Sequence, residues 1–161
     1  MVHFMQMAPA NERVQAALVS HGLHPEISRM AEGTRTAHDA ASAVGCDLEQ
    51  IVKSLLFVAD QNRYFLALVS GPRRASTSKL TSHWQAPVTM AKAKDAERIT
   101  GFPVGGVPPV GHASPLDIVM DQHLLAHDIV WAAAGTADTL FPISSADLAS
   151  ISRAEVADIT E

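Results

Sequence analysis

A lysine, two adjacent glycines and a histidine are the residues of this sequence most able to do chemistry. Residues 101–112 read GFPVGGVPPVGH, with four glycines and three prolines in twelve positions. Proline removes a backbone donor and fixes φ, and glycine opens geometries closed to other residues, so no helix or central strand runs through this stretch. Gly105 and Gly106 carry amides that no side chain shields, and a carbonyl or phosphate oxygen can approach such amides closely. His112 ends the loop with a titratable ring. The stretch is either one wall of a site or a stiff connection between strands.

Lys53 interrupts the apolar run IVKSLLFVA, residues 51–59, the strongest strand signal in the chain. Period-two alternation places it on the face of Leu55 and Phe57. On a core face an ammonium is costly unless it is paired or solvated in a pocket, and burial lowers its pKa toward values useful in catalysis. The other reading is a strand-end lysine whose ammonium reaches out to water. Arg73-Arg74, with Lys79 following, form a basic cluster that is either a solvated turn or a phosphate contact. His112 is open to three roles: ligand, acid–base group, or hydrogen-bonded brace of its loop.

Other chemistries lack their patterns. His123 and His127 have the i, i+4 spacing of two metal ligands, but there is no HExxH motif and only one cysteine, so no metal site is expected. G-x-S-x-G is absent, which leaves a catalytic triad unsupported. GFPVGG has neither a G-K-[ST] ending nor G-x-G-x-x-G spacing, which argues against nucleotide-binding loops. Cys46 reads as a small packing residue.

At 161 residues the chain suits one domain, residues 1–161, and 47% hydrophobic content with 18% charged argues against disorder. No apolar run approaches the roughly 20 residues of a membrane span. A net charge of −5 argues against a general nucleic-acid coat but permits contact with the end of an RNA. Aromatic residues are too scarce for a platform stacking several bases. A single cysteine, and an amino terminus (MVHFMQMAPANE) without a secretory pattern, point to the cytoplasm.

The elements that must position these residues follow from periodicity and caps. Asn11 is expected to cap a first helix stopped by Gly22, and His24-Pro25 leads into an extended piece around Ile27. Thr36 precedes a small-sided helix ending at Gly45, suited to lie close against a sheet. Asp47 and Gln50 mark one helical turn. The Lys53 strand and YFLALVS, residues 64–70, form a hairpin about Asp60-Gln61-Asn62. Residues 76–84 and 95–100 are helical, with a short strand at 88–90 between them. Residues 115–120 and 128–134 are strands. Residues 139–143 form a last strand, placed at an edge or bulge by Pro142, before a terminal helix near Ala146. The expected class is α+β: a curled, barrel-like mixed sheet flanked by helices.

Taken in order, the small-residue helix, IVKSLLF, LVSGPRR, the GG…P…GH loop, a strand closing at MD, and VWAAAGT resemble the YbaK/prolyl-tRNA synthetase editing-domain family over residues 36–148. That resemblance implies a trans-editing aminoacyl-tRNA deacylase, a hydrolase acting on the ester at the 3′ end of a mischarged tRNA. It further implies no metal or organic cofactor, and partners limited to aminoacyl-tRNA and a synthetase, not DNA or a membrane. Lys53 matches the family lysine, Gly105 and Gly106 the glycines lining the substrate carbonyl, and His112 the histidine ending that loop. The resemblance thus implies Lys53, Gly105 and Gly106 as catalytic residues and His112 as a substrate contact. Ala133, Gly135 and Thr136 fall on the late motif beside the amino-acid side chain, and Arg73 and Arg74 would contact tRNA. Some members have serine where this chain has Ala133, and a basic run where it has Thr136-Ala137-Asp138, so amino-acid specificity is not carried over. A non-catalytic module binding aminoacyl-tRNA or a synthetase is the alternative.

Overall fold

The computed structural model describes residues 7–31 and 36–161; the first six residues of the amino-terminal pattern read above lie outside that range. In chain order the elements are α1 (Pro9–Ser20), β1 (Ser28–Arg29), α2 (Ala37–Val44), a 3-10 turn (Leu48–Gln50), β2 (Val52–Ala59) and β3 (Arg63–Ser70). There follow α3 (Thr77–Trp84), β4 (Val88–Met90), α4 (Ala93–Thr100), β5 (Asp117–Asp121) and a second 3-10 stretch (Gln122–Ala126). The chain closes with β6 (Ile129–Ala133), β7 (Thr139–Ser144), α5 (Ser145–Ser152) and β8 (Glu155–Ala157).

The caps explain most boundaries. Thr36 accepts a hydrogen bond from the Asp39 amide at the start of α2, and Gly45 ends it in the left-handed region. Ser76 and Ser144 cap α3 and α5 in the same way. Asn11 caps α1 as expected, but from the third helical position, with Ala8 at the N-cap. It lies in the first turn, fully buried, where its Oδ1 accepts from the Ala8 amide and its Nδ2 donates to the Ala134 carbonyl at 2.8 Å and to Thr139 Oγ1 at 3.0 Å. Its long-range bonds are made beside the local one, so α1 is fastened to the β6–β7 connection.

Among the described residues the strands make two sheets, ordered β1-β7-β6 and β4-β2-β3-β5-β8. The larger is mixed: β2 pairs antiparallel with β3 and β4, whereas β5 pairs parallel with β3 and β8. Neither sheet closes, so the expected single barrel-like sheet is corrected to two open ones that meet where Ile51 bridges Trp131. The mixed α+β class stands. β3 is buried on both faces, with Leu66 and Leu68 in one apolar cluster and Phe65, Ala67 and Val69 in another. That explains its unbroken apolar run, since a strand covered on both faces needs no polar alternation. A third cluster joins Met30, Ala40, Ala41, Ile51 and Leu140 beneath α2.

β7 is the middle strand of its sheet, contrary to the edge placement, but β1 pairs only with Leu140 and Thr139. Pro142 lies beyond that short partner, where a missing amide costs no ladder bond. The three-residue β8 escapes sequence reading because it is too short to show a period.

Candidate active site

β2 is paired with β3 along its whole length, whereas β4 covers its other side only at residues 57–59. Around residues 53–55 no strand among the described residues pairs with that edge, and two clefts meet there. The first, about 260 Å³, takes residues 51–55 in succession and so wraps the strand edge. The second, about 470 Å³, takes Lys53, Leu55 and Phe57, one face of the strand, together with Arg73, Arg74, Met90 and Glu161, so three cations and one carboxylate border it and the cations predominate. Lys53 borders both. Its Nζ donates to the Arg73 carbonyl at 2.5 Å, and burial lowers its pKa, opposed in part by the charge of Asp121. The lysine is therefore held at the junction of two clefts.

Gly105 lines the first cleft together with Lys53. Its φ of +89° requires glycine, and its amide donates to no group among the described residues. Gly106 is different, and the expectation of two open amides is corrected. Its N–H donates to the Pro103 carbonyl at 2.9 Å, closing a turn, and its carbonyl accepts from the Gly135 amide at 3.0 Å. A side chain on Gly106 would meet the Thr136 backbone at 2.8 Å, so glycine is needed there for close approach.

The late motif divides likewise. Ala133 and Ala137 line the first cleft. Gly135 has φ +106° and packs against the Ala10 carbonyl of α1, while the Thr136 hydroxyl donates to Asp138 Oδ1 at 2.7 Å. These two residues brace the wall without lining it. His112 lines neither cleft: its Nε2 sits 2.6 Å from the Pro108 carbonyl. A carbonyl only accepts, so Nε2 bears the proton, and burial holds the ring's pKa below its ordinary value. Of its three roles the geometry is that of a loop brace.

Arg73 and Arg74 form no ion pair among the described residues and flank Lys53 in the second cleft. Lys79, read with them, is instead bound to Asp158 at 2.9 Å and to the Thr160 carbonyl at 2.7 Å. Sequence reasoning missed Met30, Ala37 and Ala40, which floor the first cleft. The signal was the small-sided helix: its alanines leave room that larger residues would fill. His123 bonds to buried Asp121 and His127 lies 3.8 Å from Glu49. No cluster of three His, Cys, Asp or Glu able to hold a metal ion is present among the described residues. No helix among them is long and apolar enough to cross a membrane.

The α+β fold, with its two open sheets, thus sets a lysine where two clefts meet. The aminoacyl-tRNA editing domain model matches residues 31–151, and the chain belongs to that family. It is 31% identical over 103 residues to the proline–tRNA ligase of Geobacillus kaustophilus, covering 63% of this chain but only 18% of that enzyme. The chain thus spans less than a fifth of that ligase. It is 23% identical to the protein YwhH of Bacillus subtilis, over 81% of this chain and 83% of that one. A crystal structure provisionally assigned to a trans-editing enzyme for prolyl tRNA synthetase superposes with a TM-score of 0.92 at 41% identity, covering 97% and 99% of the two chains.

Proposed function

We propose that this protein is a trans-editing deacylase, which hydrolyses the ester of a mischarged tRNA at its 3′ end. The supporting observation is that Lys53 borders both an apolar cleft and a basic one. In this reading the aminoacyl group enters the first cleft and the terminal nucleotide enters the second, with its phosphate toward Arg73 and Arg74. The ester then lies over the edge of β2. Water adds to the ester carbonyl, and the developing oxyanion is met by the Gly105 N–H and the Lys53 ammonium. The bond to the ribose oxygen breaks, and that oxygen takes a proton, releasing the amino acid and a tRNA with a free terminal hydroxyl. An aimed oxyanion donor is typically worth about 10²–10³ in rate. The scheme calls on no metal or organic cofactor, and its place of work is the cytoplasm, where tRNA is charged.

The test is loss of ester from a panel of mischarged tRNAs with EDTA present. Lys53→Ala is expected to slow it at least 10²-fold, and activity that vanishes on chelation would refute the metal-free scheme. A non-catalytic module that binds aminoacyl-tRNA or a synthetase is the second reading, favoured by Ala133 and by the single open amide of the glycine pair. Saturable RNA binding with no ester loss over hours would support it.

A further inference from the structure

Lys53 has a single protein acceptor among the described residues, the Arg73 carbonyl, and an ammonium on a flexible stem points where its acceptor stands. Arg73 lies on the connection between β3 and α3, outside both sheets. On one side its amide donates to the Ser70 carbonyl at 2.9 Å. On the other, the connection is held from far along the chain. The Glu161 amide donates to the Arg74 carbonyl at 3.0 Å and the Ser76 amide to the Ile159 carbonyl at 2.8 Å, the two bonds of an antiparallel bridge between Ala75 and Thr160. Residues 158–161 are anchored in turn. Ile159 is fully buried in the apolar cluster that holds Phe57 of β2 and Leu80 of α3. Lys79 donates to both Asp158 carboxylate oxygens at 2.9 Å and to the Thr160 carbonyl at 2.7 Å.

We infer that residues 158–161 position Lys53: by holding residues 74–76 they fix the Arg73 carbonyl, and through it the ammonium. The bearing on hydrolysis rests on the reading of Lys53 as an oxyanion donor. Residues 158–160 line neither cleft and Glu161 lines only the second, so the influence travels through the backbone rather than by contact with the ester. With the bridge broken, the connection loses its restraint between Ser70 and the start of α3, and the carbonyl that aims the lysine moves with it. A misplacement of about 1 Å can cost about 10²-fold in rate. Release of the segment should therefore slow the chemical step without removing any group that performs it.

The test breaks the bridge and leaves Lys53, Arg73 and Arg74 in place. Glu161→Pro removes the N–H that the Arg74 carbonyl accepts, and Lys79→Met frees Asp158 and the Thr160 carbonyl. The two are combined, and Glu161→Gln, which keeps the N–H but not the carboxylate, is the reference. Two quantities are measured on each folded protein: single-turnover ester loss at saturating mischarged tRNA, and the NMR titration of the Lys53 ε-carbon. The rate of the combined variant should fall by about tenfold or more below the reference. Its Lys53 titration should move up toward the ordinary 10.5, because a released ammonium recovers water. The charges about that lysine are Asp121 on β5, Arg73, Arg74 and Glu161, and reference and variant differ in none of them. Lys79→Met alone, compared with the native chain, is the second variant if the combined one melts early. An unchanged rate, or a Lys53 titration that stays where it was, overturns the inference and leaves the deacylase reading intact. No ester loss by the native chain overturns the deacylase reading instead, and the carbon titration alone then decides the positioning, supporting it if moved and refuting it if not.

Discussion

Lys53 carries its proton at a cost that the surroundings only partly return. Burial disfavours the ammonium and lowers its pKa, and the Asp121 charge opposes that shift. If the ammonium is the working form, the enzymatic rate, after subtraction of spontaneous hydrolysis, should fall on the basic side at a pH below the ordinary lysine value of 10.5. Lys53→Arg should remove that limb, because a guanidinium stays protonated. The stability linkage has a defined sign. Below the folded pKa the lysine is protonated in both states and its burial penalty is present in full. Between the folded and unfolded pKa values the unfolded chain binds more protons, so stability rises with pH through that window. Urea titrations of native and Lys53→Met proteins across it should converge toward high pH. A native pH–rate profile with no basic limb would rule out an ammonium acting in this way.

The loop and the strands it meets show how much of an element can be read before it is folded. Its composition correctly marks residues 101–112 as irregular, yet no local rule separates Gly105 from Gly106. What separates them is contact across more than twenty residues: Gly106 abuts Thr136 and accepts from Gly135, whereas Gly105 faces a cleft. The two substitutions should therefore fail differently. Gly106→Ala forces a Cβ into backbone at 2.8 Å and should destabilise the fold by about 1–3 kcal/mol. Gly105→Ala meets only Ala137 at an ordinary 3.6 Å, so its cost is the positive φ, about 1–2 kcal/mol. The folded protein should nonetheless be slowed. Denaturant midpoints and single-turnover rates on the same samples check both statements, and equal effects on rate would remove the distinction. Asn11 teaches the same lesson: its type and position suit the cap it makes, but its partners at Ala134 and Thr139 are decided across the chain. Caps, turns and the hairpin were legible because they are local, whereas the division into two sheets depends on which strand β6 pairs with.

At the scale of the molecule, the net charge of −5 confines any attraction for RNA to local positive ground. Arg73 and Arg74, without ion pairs among the described residues, supply it beside Lys53. Replacing both with serine should weaken tRNA binding and lower the slope of log affinity against log salt by about 1.4, given about 0.7 per phosphate contact on a single strand. An unchanged slope would place the RNA elsewhere. The clefts themselves were only partly legible. Lys53, Gly105 and Ala133, singled out by the sequence, do line the first cleft, but the alanine floor is visible there only as a small-sided helix, because a cavity is recorded in the side chains that are missing.

The exposed side of β2 has a colloidal consequence. VKSLLFVA is a strand of high β propensity with one charge, and no strand among the described residues pairs with its outer side around residues 53–55. Native proteins guard such borders with lysine against docking by another chain. Lys53, to which the proposed scheme gives a part in hydrolysis, is the one charge on this strand, and Lys53→Ala should scatter more light than Lys53→Arg as concentration rises. Loss of function in the alanine variant is interpretable only after that scattering has been measured, and the arginine variant is its natural control.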